Sequence, residues 1–162
     1  MSDTISISRG LLDEIISHCR EGYPNEACGI LAGKGNTVEK VYKMTNIKNS
    51  PVDYEMDSVE QLRCQKEIKE AGLRVICIYH SHPSSSPSPS QVDIIRASWP
   101  GEPDVPLYPD AFYMIVGPIK GDTEVKVFRL SVGRVKEVNL NILFGGESPK
   151  RGGGEIELCE GA

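Results

Sequence analysis

A chain of 162 residues, 39% hydrophobic and 25% charged, can bury a single-domain core without disulfide staples, and none of its apolar runs is long enough to cross a bilayer. Its net charge of −5, with 18 basic residues scattered rather than striped, gives nucleic acid no counterion-release attraction to work with, so a protein or peptide substrate fits better. The opening MSDTISISRG is not a secretory signal, and Cys19, Cys28, Cys64, Cys77 and Cys159 form no C-x-x-C pair, so a cytoplasmic setting with reduced thiols is expected.

The elements follow in chain order. Ser8 is an N-cap candidate ahead of LLDEIISHCREG, where Leu11, Leu12, Ile15, Ile16 and Cys19 recur at helical spacing, so an amphipathic helix should run to Gly22. Residues 28–32 and 38–44 read as strands joined by a Gly-Lys-Gly-Asn turn, a hairpin with Glu26 at its entry. Asp57 and Glu60 have capping-box spacing, and Val59, Leu62 and Ile68 form the expected apolar side of a second helix ending near Gly72. The β-branched and aromatic run LRVICIYHSH reads as a buried central strand. It runs straight into PSSSPSP, which must be a loop because proline removes backbone donors. A helix over 90–98, a proline-rich loop over 99–109 and strands in FYMIVG, VKVFRLS and RVKEVNL complete the pattern. Residues 1–144 thus read as one domain, and the glycine-rich, aperiodic 145–162 as a flexible tail.

Side chains two apart on a strand share a face, so the imidazoles of His80 and His82 can converge on one point. A bare H-x-H is more simply read as one packed histidine and one at an exposed strand end. Asp93, in Ser90-Gln91-Val92-Asp93, opens a helix after a loop long enough to fold back, which brings a carboxylate within reach of both rings. Taken alone, S-x-x-D is an ordinary capping box in which Asp93 turns back to the Ser90 amide. Two imidazoles and one carboxylate would leave a tetrahedral zinc with one open position, as in catalytic sites. Cys28 shares a strand face with Glu26 and reads first as a packed core cysteine, second as a thiol near the metal. His18 reads as a solvated or boundary histidine.

In order, Glu26, His80-Ser81-His82-Pro83, six further residues, Ser90 and Asp93 resemble the signature of the JAMM (MPN-plus) metalloproteases: an early-strand glutamate, H-[ST]-H-P, a short spacer and S-x-x-D. The resemblance spans roughly residues 5–140. It implies an α/β (α+β), cytidine-deaminase-like JAMM/MPN fold, with a mixed, curled β-sheet flanked by helices. It also implies one zinc per chain on His80, His82 and Asp93, lowering the pKa of a water toward about 7. Glu26 would take the proton and pass it to the leaving amine. Ser90 would donate to the oxyanion, a contact worth on the order of 3 kcal/mol in other proteases. Ser81 and Pro83 are expected to shape the turn.

Members of that family cut the amide bond after the C-terminal glycine of ubiquitin or a ubiquitin-like protein. This compact chain is similar to the prokaryotic branch, which implies a ubiquitin-like sulfur-carrier protein, or its C-terminal conjugate, as substrate. A diglycine end has no side chains, so it can thread a narrow groove and pair with an edge strand, and the 99–109 loop is expected to form one wall. Two alternatives stay open. One is a non-catalytic scaffold that binds protein partners, although such relatives typically lack a metal ligand. The other is a zinc amidohydrolase acting on a small molecule, but the deaminase pairing of H-x-E with P-C-x-x-C does not occur. Neither nucleic acid nor membrane is an expected partner.

Overall fold

The computed structural model describes residues 3–144, so the tail expected over 145–162, with Cys159, lies outside the described residues. The chain opens with strand β1 (Thr4–Ser8), which the helical reading of the N-terminus passes over. Its TISIS alternation buries Ile5 and Ile7 completely, a period-two signal in only five residues. Helix α1 (Arg9–Gly22) follows at once, and the Ser8 hydroxyl accepts the Leu11 N–H at 3.2 Å as the expected cap. Leu12, Ile15 and Cys19 are buried, with Leu11 and Ile16 packed partly beside them. Each fully buried aliphatic side chain of this kind contributes roughly 2 kcal/mol.

Strands β2 (Cys28–Lys34) and β3 (Thr37–Met44) form the expected hairpin, with Gly35 at φ +57° in the turn. Helix α2 (Ser58–Glu70) differs from its expected packing. Cys64 and Ile68 are buried, whereas Val59 and Leu62 are 61% and 72% exposed. Nor does Glu60 complete a capping box. Asp57 accepts the Val59 and Glu60 amides, but the Glu60 carboxylate reaches across to the amide and hydroxyl of Thr45, both at 2.7 Å. The tie to the end of β3 competes with the local bond and replaces it.

Strand β4 (Arg74–Ser81) is buried from Ile76 onward. Helix α3 (Gln91–Arg96) is shorter than the 90–98 read from sequence, because Ser98 and Trp99 form strand β5 (Ser98–Trp99), paired with β6 (Glu102–Pro106). Trp99 precedes Pro100, and the proline ring drives the residue before it out of helical geometry. The 99–109 segment is therefore a small hairpin, turned at Gly101 (φ +77°), rather than a structureless loop. Strands β7 (Phe112–Gly117), β8 (Glu124–Ser131) and β9 (Arg134–Leu143) complete the chain.

The mixed sheet curls until it closes, in the order β1-β3-β2-β4-β7-β8-β9, with β9 returning to β1. Strands β2, β4 and β7 are central and bury both faces, which is why they read as continuous apolar runs. On one face Leu31, Tyr79, Phe112 and Met114 pack with α1; on the other Ile30, Ile78 and Tyr113 pack with α2. The histidines stand at the end of this doubly supported strand.

Candidate metal centre

His80 lies opposite Cys28 on β2 and opposite Ile115 on β7, so hydrogen bonding on both sides fixes its backbone. The pairing continues past the end of β4. The His82 amide donates to the Val116 carbonyl at 2.8 Å, and the Ile119 amide donates to the Pro83 carbonyl at 3.0 Å. Gly117 permits this close approach, since a Cβ there would sit 2.7 Å from the His82 carbonyl oxygen and 2.6 Å from that of Ser85. The loop then folds back so that the Ser86 carbonyl accepts from His82 Nδ1 at 2.9 Å. A carbonyl only accepts, so Nδ1 carries the hydrogen and the Nε2 lone pair of a neutral ring points inward.

The two Nε2 atoms lie 3.2 Å apart, and α3 brings Asp93 to both: Oδ1 is 3.2 Å from His80 Nε2 and Oδ2 is 3.1 Å from His82 Nε2. Asp93 Oδ2 also accepts the Ser90 amide at 2.9 Å, while the Ser90 hydroxyl accepts the Asp93 amide at 3.0 Å. The capping bonds of S-x-x-D and the approach of its carboxylate to both histidines therefore occur together. Burial pushes the Asp93 carboxyl up, but hydrogen bonds from the His80 and His82 rings when Nε2 is protonated outweigh it and hold the group well below the usual carboxylate range. Burial pulls His82 down, while Asp93 and the Ser86 carbonyl more than offset it and leave the ring raised. Ligand atoms of His80, His82 and Asp93 all lie within 4.8 Å of one another, close enough for the three to hold a metal ion. Two imidazole nitrogens, one carboxylate and an inward tautomer set by a backbone carbonyl match the donor set of an open zinc site.

Glu26 stands two residues before β2, only 6% exposed. Its amide donates to the Ser50 carbonyl at 2.8 Å and its carbonyl accepts from Asn46 Nδ2 at 2.9 Å. Ser81 secures the next residue from the other side. Its hydroxyl accepts the Ala27 amide at 2.9 Å, and its amide donates to the Ala27 carbonyl at 3.0 Å. Ser81 thus aligns the glutamate segment with the histidine strand, more than the turn-shaping role expected of it. Burial pushes the Glu26 carboxyl up to about 8, with His82 opposing and Asp93 reinforcing that shift across the site.

Cys28 is fully buried with Ile30, Met44 and Ile78, and burial pushes its thiol up to about 12, so it is a packed core cysteine. His18 is not simply solvated: its Nδ1 lies 2.6 Å from the Tyr79 hydroxyl, on a strand residue that points away from the histidine pair. Asn46, Tyr54 and Arg96 adjoin the site with no local pattern to mark them, because the groups they hold lie far along the chain.

The family profile described as prokaryotic homologs of the JAB domain matches residues 8–131, from the cap of α1 to the end of β8. The chain belongs to that family. This JAB-domain chain is 41% identical over 107 residues to the desampylase of Haloferax volcanii, covering 62% of this chain and 77% of the relative. It is 32% identical over 140 residues to the CysO-cysteine peptidase of Mycobacterium tuberculosis, covering 85% and 90% respectively. A solution structure of a Desulfitobacterium hafniense protein superposes with TM-score 0.72 at 29% identity, covering 85% of this chain and 92% of that one. Among the described residues of this JAB-domain chain, no helix is long and apolar enough to cross a membrane.

On the far side of Tyr54, whose ring stacks on His80, the JAB domain holds a cavity of about 520 Å³, bounded by Tyr54 and Met56, by Ile95 of α3, and by Pro100, Leu107 and Tyr108. Tyr108 is pinned in place by Gln61 and Gln65 of α2, which both donate to its hydroxyl.

Proposed function

We propose that the protein is a zinc-dependent metallopeptidase that hydrolyses the amide bond after the C-terminal glycine of a ubiquitin-like, sulfur-carrier type protein. The observation that carries this reading is the convergence of His80 Nε2, His82 Nε2 and the Asp93 carboxylate, with the buried Glu26 carboxyl near enough to feel the charges of His82 and Asp93. These three side chains would hold a zinc ion, whose contribution is Lewis acidity toward a water and the scissile carbonyl. Glu26 takes a proton from the attacking water and returns it to the leaving amine from a buried position that faces His82 and Asp93. Ser90 uses a lone pair to cap Asp93, which leaves its hydroxyl proton free to donate to the oxyanion. The 520 Å³ cavity forms the groove, with Leu107 and Tyr108 as the wall expected of the 99–109 segment.

The substrate assignment draws on the relatives named desampylase and CysO-cysteine peptidase. A cytoplasmic setting is supported by Cys19, Cys28, Cys64 and Cys77, all buried and free. The test is cleavage of a ubiquitin-like carrier extended beyond its terminal diglycine, with and without a chelator, and by the Glu26→Gln protein. Chelator-sensitive release that the Glu26→Gln protein cannot perform is expected. Cleavage that survives both treatments would remove the mechanism.

A further inference from the structure

The two histidines are held in different ways. His82 Nδ1 donates to the Ser86 carbonyl, whereas His80 Nδ1 is buried with no hydrogen-bond partner among the described residues. A metal-ligating histidine ordinarily has its ring fixed by just such a bond. What His80 has instead is the face of Tyr54, stacked on its ring with centroids 4.7 Å apart and planes at 25°. Tyr54 belongs to the segment between β3 and α2, which has no strand or helix of its own and a single bridge, Asn46 to Met56. Inside the segment Asn46 Nδ2 donates to the Asp53 carbonyl at 3.0 Å and Asn46 Oδ1 accepts the Glu55 amide at 3.0 Å, but neither bond joins it to α3.

Arg96, the last residue of α3, makes that connection. Its guanidinium donates to the Tyr54 carbonyl and forks onto Asp53, with Nη1 2.8 Å from Oδ1 and Nη2 3.3 Å from Oδ2. The same short helix carries Asp93. One planar cation thus ties the helix bearing one metal donor to the segment whose ring supports another.

We propose that Arg96 is a positioning residue for the metal centre: by fastening Asp53 and Tyr54 to α3, it holds the Tyr54 ring against His80 in place of the missing hydrogen bond at Nδ1. This rests on His80, His82 and Asp93 being the metal ligands. It requires no contact between Arg96 and metal or substrate. A lysine would keep the charge but not the fork that reaches carboxylate and carbonyl together.

The test is zinc affinity of the full chain by competition with a chromophoric chelator, alongside melting of the metal-free proteins and the NMR signals of the His80 ring. Arg96→Ala and Tyr54→Leu should each weaken zinc binding by about 10- to 100-fold, with Arg96→Lys between them and the unaltered protein. Tyr54→Phe keeps the ring and should bind zinc normally. Because both residues act through one route, the Arg96→Ala/Tyr54→Leu protein should lose no more than Tyr54→Leu alone. The ring-current shift on His80 should shrink in Arg96→Ala even without metal. A merely structural role would lower melting temperature and leave zinc affinity in place. Unchanged affinity in Arg96→Ala, or in Arg96→Lys should the alanine protein not fold, overturns the proposal, as do losses that multiply in the double variant. If the unaltered protein itself binds no zinc, the ligand assignment falls and takes this inference with it; normal zinc binding beside an unaffected Arg96→Ala protein removes this inference alone.

Discussion

Asp93 and Ser90 cap one another, and the Asp93 Oδ2 atom that accepts the Ser90 amide at 2.9 Å is the same atom that meets His82 Nε2 at 3.1 Å. A cap that would otherwise serve only to start a six-residue helix is thereby also the device that aims a carboxylate at the histidine pair.

Asp93→Asn and Asp93→Ala should therefore separate the two tasks. Asparagine keeps an oxygen for the Ser90 amide but loses the charge that the histidine rings stabilise, so the metal-free protein should melt below the unaltered one at neutral pH and bind zinc far more weakly. Alanine should lose zinc and, in addition, about 1 kcal/mol of stability from the broken half of the capping box. Denaturant titration of the metal-free proteins and zinc stoichiometry after dialysis check both halves.

Glu26→Gln should leave zinc bound, because Glu26 is not among the converging ligands, yet lower kcat/KM by a factor on the order of 10² to 10⁴. A loss of metal in parallel with activity would instead make Glu26 a ligand.

The buried Glu26 carboxyl also predicts a pH dependence of stability in the metal-free protein. Its ordinary value of 4.5 is raised to about 8 in the fold, so between those values the folded chain holds a proton that the unfolded chain releases. Stability from this group is therefore fully present below about pH 4.5 and is lost as pH rises through about 8. Thermal melts across this range should show melting temperature falling with pH, and the slope should be shallower for Glu26→Gln.

Gly117→Ala places a Cβ 2.6 Å from the Ser85 carbonyl and 2.7 Å from the His82 carbonyl, both backbone atoms with little freedom to retreat. A destabilisation of about 1–3 kcal/mol is expected, together with weaker zinc binding because His82 shifts. Equilibrium unfolding and chelator competition report the two effects separately.

Leu107→Ala combined with Tyr108→Ala should lower kcat/KM on a diglycine-ended ubiquitin-like substrate by about tenfold while zinc content stays the same. Unchanged turnover would remove the 99–109 segment from the groove.

The helices, the β2–β3 hairpin, the buried strand β4 and the shared face of His80 and His82 are readable along the chain, because each depends on short-range facts, whereas the roles of Glu26 and Ser90 rest on the family resemblance. Alternation and helical spacing report which faces are apolar, and a strand places His80 and His82 on one side within three residues. Where local signals were weak or opposed, the linear reading slipped. The five residues of β1 are too short a run for their alternation to stand out, and α3 ends two residues before the 98 that the sequence implies, ahead of the Trp99–Pro100 step. Val59 and Leu62, an apolar side by spacing, face outward.

The chain's local order places His80 and His82 on one strand face and Asp93 in a helix-opening cap, while the place of Glu26 beside them comes only from the family resemblance. Tertiary structure alone decided how firmly they meet. Closure of the sheet, the approach of Gly117 to His82, the Ser81 tie to Ala27 and the clasp of Arg96 on Asp53 and Tyr54 join residues from separate parts of the chain. No periodicity or spacing encodes such pairings. They form only when burial of the two apolar faces has already brought the strands and helices together, and the polar groups left inside must then find the partners that packing presents.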